Sequence, residues 1–380
     1  MFSLYIHIPY CSRVCPYCDF NVTAVEARPE VRYTDAVIAE IEHAARRPHW
    51  RGQSLATIYF GGGTPSLFDP ESIERIVARA LLLWPTSPPS EITLEATPEA
   101  FDATRAARFR EAGVNRLSLG IQSTDATSLR VLGRAHSPED SYGAVAGARQ
   151  AGFDNVSLDL IFAVPGQTLA DWENQLRAAV ELDVEHVSAY GLTYEEQTPF
   201  FRWRARGLID PVSEDVEASM FQRTREILPA AGYEAYEISS FARPGRRSAH
   251  NQSYWTGTSY LGVGAGAHSF ESEGWGRRSS NERNHLRYME AVEARGAAGV
   301  MAEDLTRSAA LAEFAFLRLR QADGMDANDF AARFGESLDE CFPALRDLRR
   351  QGLLEPTEGG YRLSERGLLV ADSVFAAFVG

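Results

Sequence analysis

The chain has 380 residues, of which 44% are hydrophobic, and its formal net charge is −14. This length accommodates one large domain and a smaller one, and the apolar content is sufficient for a folded core. The acidic balance argues against nucleic acid or an anionic membrane as a partner. No secretory signal is recognisable, and the apolar run 3–8 is too short to span a bilayer, so we expect a cytoplasmic protein with reduced thiols.

Short apolar runs alternate with longer amphipathic stretches along the first half of the chain. The apolar runs predict six strands, over 4–8, 57–60, 91–95, 116–121, 155–162 and 186–192. Between them, the spacing of apolar residues predicts helices over 33–45, 70–83, 103–112, 138–151 and 169–182. This alternation is typical of a parallel α/β fold, in which functional loops follow the carboxyl ends of the strands.

Three of the four cysteines, Cys11, Cys15 and Cys18, lie within eight residues after the first predicted strand. Three thiolates on one loop can hold three irons of a [4Fe–4S] cluster and leave the fourth iron open. A zinc site with His7 as the fourth ligand is less favoured, because His7 belongs to an apolar, strand-like run. Disulfides would leave one thiol unpaired, and buried, unreactive cysteines are the remaining alternative.

Further polar or glycine-rich segments follow the later strands. The segment Gly-Gly-Gly-Thr-Pro at 61–65 would let the backbone approach a ligand, although a simple turn has the same composition. Four polar residues lie near the ends of the next strands, namely Glu95, Gln122, Arg134 and Asp159. Glu95 alone has the alternative of an exposed acid at a strand end, and each of the other three alone is better explained as a surface or packing residue. Their placement on one face of the barrel predicts a joint polar site.

The cysteine spacing resembles that of the radical S-adenosylmethionine (SAM) superfamily. Other motifs resemble the family that includes oxygen-independent coproporphyrinogen III oxidase and the heme chaperone HemW; they occupy 5–9, 61–65, 113–116, 120–123, 132–136 and 159–161. The resemblance covers essentially the whole chain. It implies a partial (β/α)6 barrel that carries a [4Fe–4S] cluster on the three cysteines. It also implies that SAM binds at Tyr5, Gly62, Gly63, Thr64, Glu95, Gln122, Arg134 and Asp159, and that Tyr17 lies beside the cluster.

Three features favour the HemW-like branch of this family. Phe20 stands where the oxidases have a further cysteine, the cluster motif begins close to Met1, and 250–255 matches the motif HNxxYW, which the oxidases lack. This branch implies a heme chaperone that passes heme to an unidentified acceptor protein, without a catalytic residue of its own. The alternative is the oxidase branch, which cleaves SAM reductively and decarboxylates the propionates of coproporphyrinogen III.

The HNxxYW motif predicts His250 as an axial ligand of heme iron, because imidazole ligates heme and the flat side chains of Tyr254 and Trp255 suit a porphyrin face. The alternative is that His250 is an ordinary loop residue and that Trp255 packs at a domain boundary. His268, which lies beside Gly264 and Gly266 where a bulky ligand could be admitted, is the second candidate ligand. We interpret Cys341, which is distant from the other cysteines, as a small buried apolar residue.

The sequence predicts three parts: a barrel over 1–230, an extension with the HNxxYW motif over 231–300, and a C-terminal domain over 301–380. Strands are predicted over 234–239 and 260–269. In the last part, helices over 309–320, 327–334 and 341–351, a hairpin over 353–364 and a helix over 365–378 resemble a winged helix. Because its net charge is −5, we expect a substrate-covering or interaction domain rather than a DNA-binding one. The sequence leaves a homodimer possible.

Overall fold

The computed structural model of the protein describes residues 1–86 and 91–379, and its main feature is a twelve-stranded sheet. Its first six strands are β1 (Phe2–Ile8), β2 (Leu55–Gly62), β3 (Ile92–Ala96), β4 (Arg116–Gln122), β5 (Val156–Phe162) and β6 (His186–Gly191). They pair in this order and all run parallel. The predicted α/β class and partial (β/α)6 barrel are therefore confirmed.

The five longest helices between these strands are α1 (Glu30–Arg46), α2 (Pro70–Leu83), α3 (Ala103–Glu111), α4 (Pro138–Gln150) and α5 (Leu169–Glu181). Ser137 and Thr168 begin α4 and α5 with reciprocal capping boxes, which explains why both helices start where the sequence predicts. The apolar faces of the helices pack on one face of the sheet, around the buried Trp84 and Trp172. The opposite face of β1–β6 is left for the site.

The sheet continues beyond the six barrel strands at both edges. Strands β7 (Glu234–Ala235) and β8 (Ser240–Ala242) extend it beside β6, and β9 (Tyr260–Val263) pairs parallel with β1. The remaining strands β10 (His268–Glu271), β11 (Arg277–Asn281) and β12 (Gly299–Asp304) follow β9 in an antiparallel arrangement.

The prediction of one strand over 260–269 was wrong, because the chain reverses between β9 and β10. Gly264 and Gly266 adopt positive φ angles in this turn, which residues with a Cβ rarely do. The strand predicted over 234–239 is also shorter, since only Glu234–Ala235 pairs within the large sheet, and Glu237 forms an isolated bridge to Gln321. Several helices were not predicted; they are Ala126–Val131, Pro199–Ala205, Glu214–Ala230, Ala249–Trp255 and His285–Arg295.

The C-terminal part forms a separate α+β unit with its own hydrophobic core, which includes Phe314, Phe330 and Leu345. Its helices are Arg307–Leu319, Ala327–Phe334, Leu338–Cys341, Ala344–Arg350, Glu365–Leu368 and Ala371–Ala376, and its small antiparallel sheet joins Met325–Asp326, Gly360–Leu363 and Leu354–Pro356. The single helices predicted over 341–351 and 365–378 are thus each interrupted. Cys341 is only partly buried. The division into three parts stays a prediction, and β12, which belongs to the large sheet, runs across residue 301.

Within the described ranges, we find no helix of the length and apolar character that crossing a membrane would require.

Candidate functional site

The loop after β1 places three thiols at the carboxyl ends of the barrel strands. Cys11, Cys15 and Cys18 are all free, and together they line a cavity of about 400 Å³, which we call the cluster cavity. The backbone N–H of Cys18 donates to the carbonyl of Cys15 over 3.1 Å, which makes this end of the loop a tight turn. One loop therefore presents three sulfur ligands to one cavity.

Burial makes these thiols poor thiolates when no metal is bound. It raises the pKa of Cys11, and it raises the pKa of Cys18 to about 11. Two donors face the sulfurs: Arg134 Nη1 lies 3.4 Å from Cys15 Sγ, and Thr64 Oγ1 lies 3.7 Å from Cys11 Sγ. Thiolates in such surroundings need a metal charge nearby, and the three-thiol donor set fits a [4Fe–4S] cluster.

His7 is not placed as a fourth ligand. Its Nδ1 lies 3.0 Å from the hydroxyl of Tyr5, and its Nε2 lies 2.9 Å from the carbonyl oxygen of Asn21, so both ring nitrogens are occupied. In the described part of the chain, no three His, Cys, Asp or Glu side chains are arranged to hold a single metal ion. The geometry therefore gives no support to the zinc alternative.

The glycine-rich segment at the end of β2 packs directly onto the cysteine loop. The backbone N–H of Gly63 donates to Ile8 over 2.8 Å, and that of Thr64 donates to Tyr10 over the same distance. Gly62 adopts a φ of +110°, and a Cβ at this position would collide with the imidazole ring of His7. The glycine therefore lets two loops approach each other at the wall of the cluster cavity.

The inner face of the barrel is polar because every second residue of its strands points into the cavity. On β4 these residues are Arg116, Ser118, Gly120 and Gln122, whereas Leu117, Leu119 and Ile121 face the core. Asp159 of β5 accepts a hydrogen bond from Ser118 over 2.9 Å. The same pattern places Ser188 and Tyr190 of β6 in the cavity wall. A polar interior suits a ligand with several hydrogen-bonding groups.

Several charged groups of this face lack full compensation. Burial, together with the nearby charge of Asp159, raises the pKa of Glu95 to about 7, although Tyr59 and the Gly62 N–H donate to its carboxylate. The Nε atoms of Arg116 and Arg134 are buried without a hydrogen-bond partner among the described residues. A ligand with ammonium, carboxylate and hydroxyl groups, as in SAM, would satisfy both kinds of group.

Every residue predicted for the cluster or SAM except Tyr5 lines the cluster cavity, whereas neither candidate heme ligand, His250 or His268, lines it. Tyr17 packs edge-on against Phe200, and the Nη2 of Arg134 donates to the carbonyl of Gly120 over 3.1 Å. The individual assignments to cluster and SAM stay predictions. The structure contributes the finding that these residues share one cavity.

His250 is fully buried, behind the cavity wall. Its Nδ1 lies 2.7 Å from Thr57 Oγ1 and its Nε2 lies 2.8 Å from the hydroxyl of Tyr254, and the ring stacks on Tyr59 with centroids 4.9 Å apart. Burial lowers its pKa to about 3, so the ring is neutral. Ligation of heme by His250 stays a prediction, and it would require the ring to break at least one of these hydrogen bonds.

A second cavity of about 420 Å³ lies beside the first, and both are lined by Phe20, Gly62 and Glu95. Tyr5, the other residue outside the cluster cavity, is part of its wall, as are Tyr254, Tyr260, His268 and Arg283. We call this space the tyrosine cavity. His268, the second candidate heme ligand, is exposed at its surface.

Sequence reasoning missed several residues of the cluster cavity, namely Tyr59, Arg116, Ser118, Ser188, Tyr190 and Asn251. Four of them could have been found from the period-two pattern in β4 and β6, because polar residues alternate there with apolar ones. No comparable local signal identifies Asn251, which reaches the cavity from the helix Ala249–Trp255.

The comparison with protein families gives two matches. The family described as the radical SAM superfamily matches residues 5–179, and the HemN C-terminal domain matches residues 305–370.

Similar proteins of full length are found among the curated ones. The chain is 36% identical to the heme chaperone HemW of Bacillus subtilis (strain 168), with 100% of both chains covered. It is 33% identical to HemW of Escherichia coli (strain K12), over 99% of this chain and 98% of the other. It is 34% identical to the mitochondrial radical S-adenosyl methionine domain-containing protein 1 of Bos taurus, over 99% of this chain and 87% of the other.

Among solved structures, the chain resembles coproporphyrinogen III oxidase (HemN) from Escherichia coli, described as a radical SAM enzyme. The TM-score is 0.85 at 24% sequence identity, and the match covers 99% of this chain and 89% of the other. This likeness shows that the two proteins share a fold.

Proposed function

Because the chain belongs to the HemW family of radical SAM proteins, we propose that it is a heme chaperone that holds a [4Fe–4S] cluster and SAM, binds heme and passes it to an acceptor protein. The observation that carries the cluster and SAM part is the cluster cavity. Three free thiols of one loop line it together with Gly62–Thr64 backbone, Glu95 and Arg134. The heme part is supported by the full-length similarity to proteins named heme chaperones.

In this proposal, Cys11, Cys15 and Cys18 bind three irons, and SAM supplies the ligands of the fourth. Arg134 compensates the charge of the thiolates through its contact with Cys15. The backbone of Gly62 and Gly63 approaches SAM closely, because no side chain intervenes. The other polar residues of the inner face orient the ligand and keep it out of bulk water.

Phe20 supports the chaperone over the oxidase. Its side chain is 65% exposed and lines both cavities, so it occupies a position from which a cysteine could have contacted a ligand. A phenyl ring cannot coordinate metal or donate a hydrogen bond, whereas its apolar face suits a porphyrin.

The test is an anaerobic titration of the cluster-reconstituted protein with hemin, followed through the Soret band. We expect saturable one-to-one binding, and transfer of the bound heme to an apo-hemoprotein added afterwards. Alanine at any of the three cysteines should abolish the brown cluster chromophore, and Cys341→Ala, outside the cavity, is the matched control. Absence of specific heme binding, or turnover of coproporphyrinogen III to a decarboxylated product, would overturn the proposal. The cytoplasmic location and the possible homodimer stay predictions.

A further inference from the structure

The tyrosine cavity has flat aromatic walls. Tyr5, Tyr254 and Tyr260 lie on one side of the cluster loop, and Phe20 of that loop completes the wall. The rings of Tyr254 and Tyr260 are perpendicular, with centroids 4.7 Å apart, so one ring supports the other. A volume of about 420 Å³ is within the range of small-molecule sites. The four aromatic rings in the lining suit an aromatic ring system of a ligand.

His268 presents an uncommitted imidazole at this cavity. It is the first residue of β10, its side chain is exposed, and it makes no side-chain hydrogen bond to any residue in the described ranges. Burial of part of the ring, together with the positive charges of Arg283 and Arg278, lowers its pKa. The ring is therefore neutral at physiological pH, and neutral imidazole is the form that binds iron.

Arg283 presents an uncommitted cation at the same cavity. Its side chain is exposed, and its guanidinium forms no ion pair with a carboxylate of the described residues. Arg278 of the neighbouring strand β11, in contrast, contacts Glu313 at 2.5 Å. A free guanidinium is the group that binds a ligand carboxylate most specifically.

We propose that the tyrosine cavity is the heme site, in which the aromatic walls cover the porphyrin, His268 is the axial ligand and Arg283 binds a propionate. This inference rests on the proposed chaperone function and deepens it, because it locates the cargo. No single residue carries it; an imidazole, a guanidinium and an aromatic wall meet the three chemical parts of heme, which are iron, carboxylates and the macrocycle.

In this arrangement the HNxxYW motif supports the wall of the heme site. His250 is a positioning residue: its Nε2 holds the hydroxyl of Tyr254 at 2.8 Å, and Thr57 holds the other side of the ring at 2.7 Å. The motif would therefore fix the wall of the cavity rather than ligate the iron. His250→Ala is expected to weaken heme binding without changing the axial ligation of the heme that still binds.

The site is connected to the cluster loop. Asn21, three residues after Cys18, donates from Nδ2 to the carbonyls of Ala265 and Arg283, each over 3.0 Å. A Cβ at Gly266 would lie 2.5 Å from the same nitrogen, so the turn before His268 packs tightly against the loop. Heme in this cavity would lie next to the cluster cavity, with Glu95 and Gly62 between the two spaces.

The experiment compares hemin binding to the cluster-reconstituted, untagged protein and to five variants under anaerobic conditions, one of which is His250→Ala. His268→Ala and Arg283→Ala remove the two proposed contacts. The matched controls are His43→Ala and Arg287→Ala, which lie on the helices Glu30–Arg46 and His285–Arg295 and line neither cavity. Retention of the cluster chromophore shows that each variant is folded. If His268→Ala loses it, His268→Gln takes its place.

We expect His268→Ala to lose the absorption spectrum of histidine-ligated ferric heme that the wild type shows and to regain it when free imidazole is added. Arg283→Ala should weaken hemin binding about tenfold, the change that corresponds to one charge-assisted hydrogen bond, but should leave the affinity for hemin dimethyl ester unchanged. Both controls should behave as wild type. A wild type that binds no hemin would overturn the chaperone function itself. If the wild type binds hemin specifically and both His268→Ala and Arg283→Ala bind it as tightly and with an unchanged spectrum, only this location of the heme is wrong. A change of axial ligation in His250→Ala would show that His250, and not His268, is the axial ligand.

Discussion

The Nη1 of Arg134 lies 3.4 Å from the sulfur of Cys15, so a guanidinium from beyond β4 contacts the centre of the cysteine loop. The same side chain donates from Nη2 to the carbonyl of Gly120 in β4, which fixes its direction. The three cysteines lie close together in the sequence, but the electrostatic environment of their loop depends on a residue of the barrel that is distant in the chain.

Arg134→Gln is expected to shift the midpoint potential of the reconstituted cluster to a more negative value. Hydrogen bonds and positive charge at cluster sulfurs favour the reduced state, and the variant removes the charge. A redox titration followed by electron paramagnetic resonance measures this. Arg130→Ala is the matched control, because Arg130 is exposed on the helix Ala126–Val131. A midpoint shared by wild type, Arg134→Gln and the control would show that the contact with Cys15 has no influence on the cluster.

Gly62→Ala is expected to destabilise the protein without cofactors by about 3 kcal/mol or more, because a positive φ and a collision with His7 act together. Gly166→Ala is the matched control: φ is +84° there as well, but a Cβ would meet no atom within 4 Å. It should cost only about 1 kcal/mol. Urea denaturation measures both. Equal losses would mean that the close packing of the two loops contributes nothing beyond backbone strain.

The barrel and much of the cluster cavity were predictable, because their signals are local. The spacing of Cys11, Cys15 and Cys18 and the strand-loop position of Gly62 and Gly63 are visible in short windows. Since the carboxyl ends of parallel strands meet at one edge, Glu95, Gln122 and Asp159 could be expected near the same loop. The structure indeed places all of them around one cavity.

The tyrosine cavity could not be predicted in the same way. Its walls include residues from β1, the cluster loop, the helix Ala249–Trp255, β9 with the turn after it, and the segment after β11, and no local pattern connects them. The pairing of β9 with β1 brings them together, and this long-range contact has no signature in either strand. Because a single strand was predicted over 260–269, the turn that precedes His268 was not expected. The two positive-φ glycines in that turn were the available signal.

Glu95→Gln is expected to stabilise the cofactor-free protein increasingly as the pH rises. The folded pKa of Glu95 is about 7, which burial raises above the ordinary value near 4.5, so ionisation costs folding free energy. The favourable contribution of the protonated Glu95 carboxyl to the free energy of unfolding is fully present below the unfolded pKa. It is lost as the pH rises through 7. The variant should gain about 1–3 kcal/mol relative to wild type between pH 5 and about pH 8. Urea denaturation across this range measures the difference, and a difference that does not vary with pH would contradict the raised pKa.

Glu99→Gln is expected to show the opposite dependence. Burial alone would raise the pKa of Glu99, but the hydrogen bond with His136, whose Nδ1 lies 3.2 Å from Glu99 Oε2, outweighs it and lowers the pKa to about 2. The stabilisation of the folded state is therefore present above the unfolded pKa near 4.5 and is lost as the pH falls towards 2. At pH 6 the variant should be less stable than the wild type by about 1 kcal/mol, since the pair is partly exposed, and this difference in stability should disappear as the pH falls below 4.

His136 Nε2 donates to the carbonyl of Ile121, so the pair of His136 and Glu99 also fixes the chain just before Gln122. Because Glu99 lines the same cluster cavity as Glu95, opposite pH slopes for the two variants would show that the cavity rim holds one carboxylate charged and disfavours the charge of the other. Parallel slopes would mean that the two carboxylates share one environment, contrary to the hydrogen bonds that distinguish them.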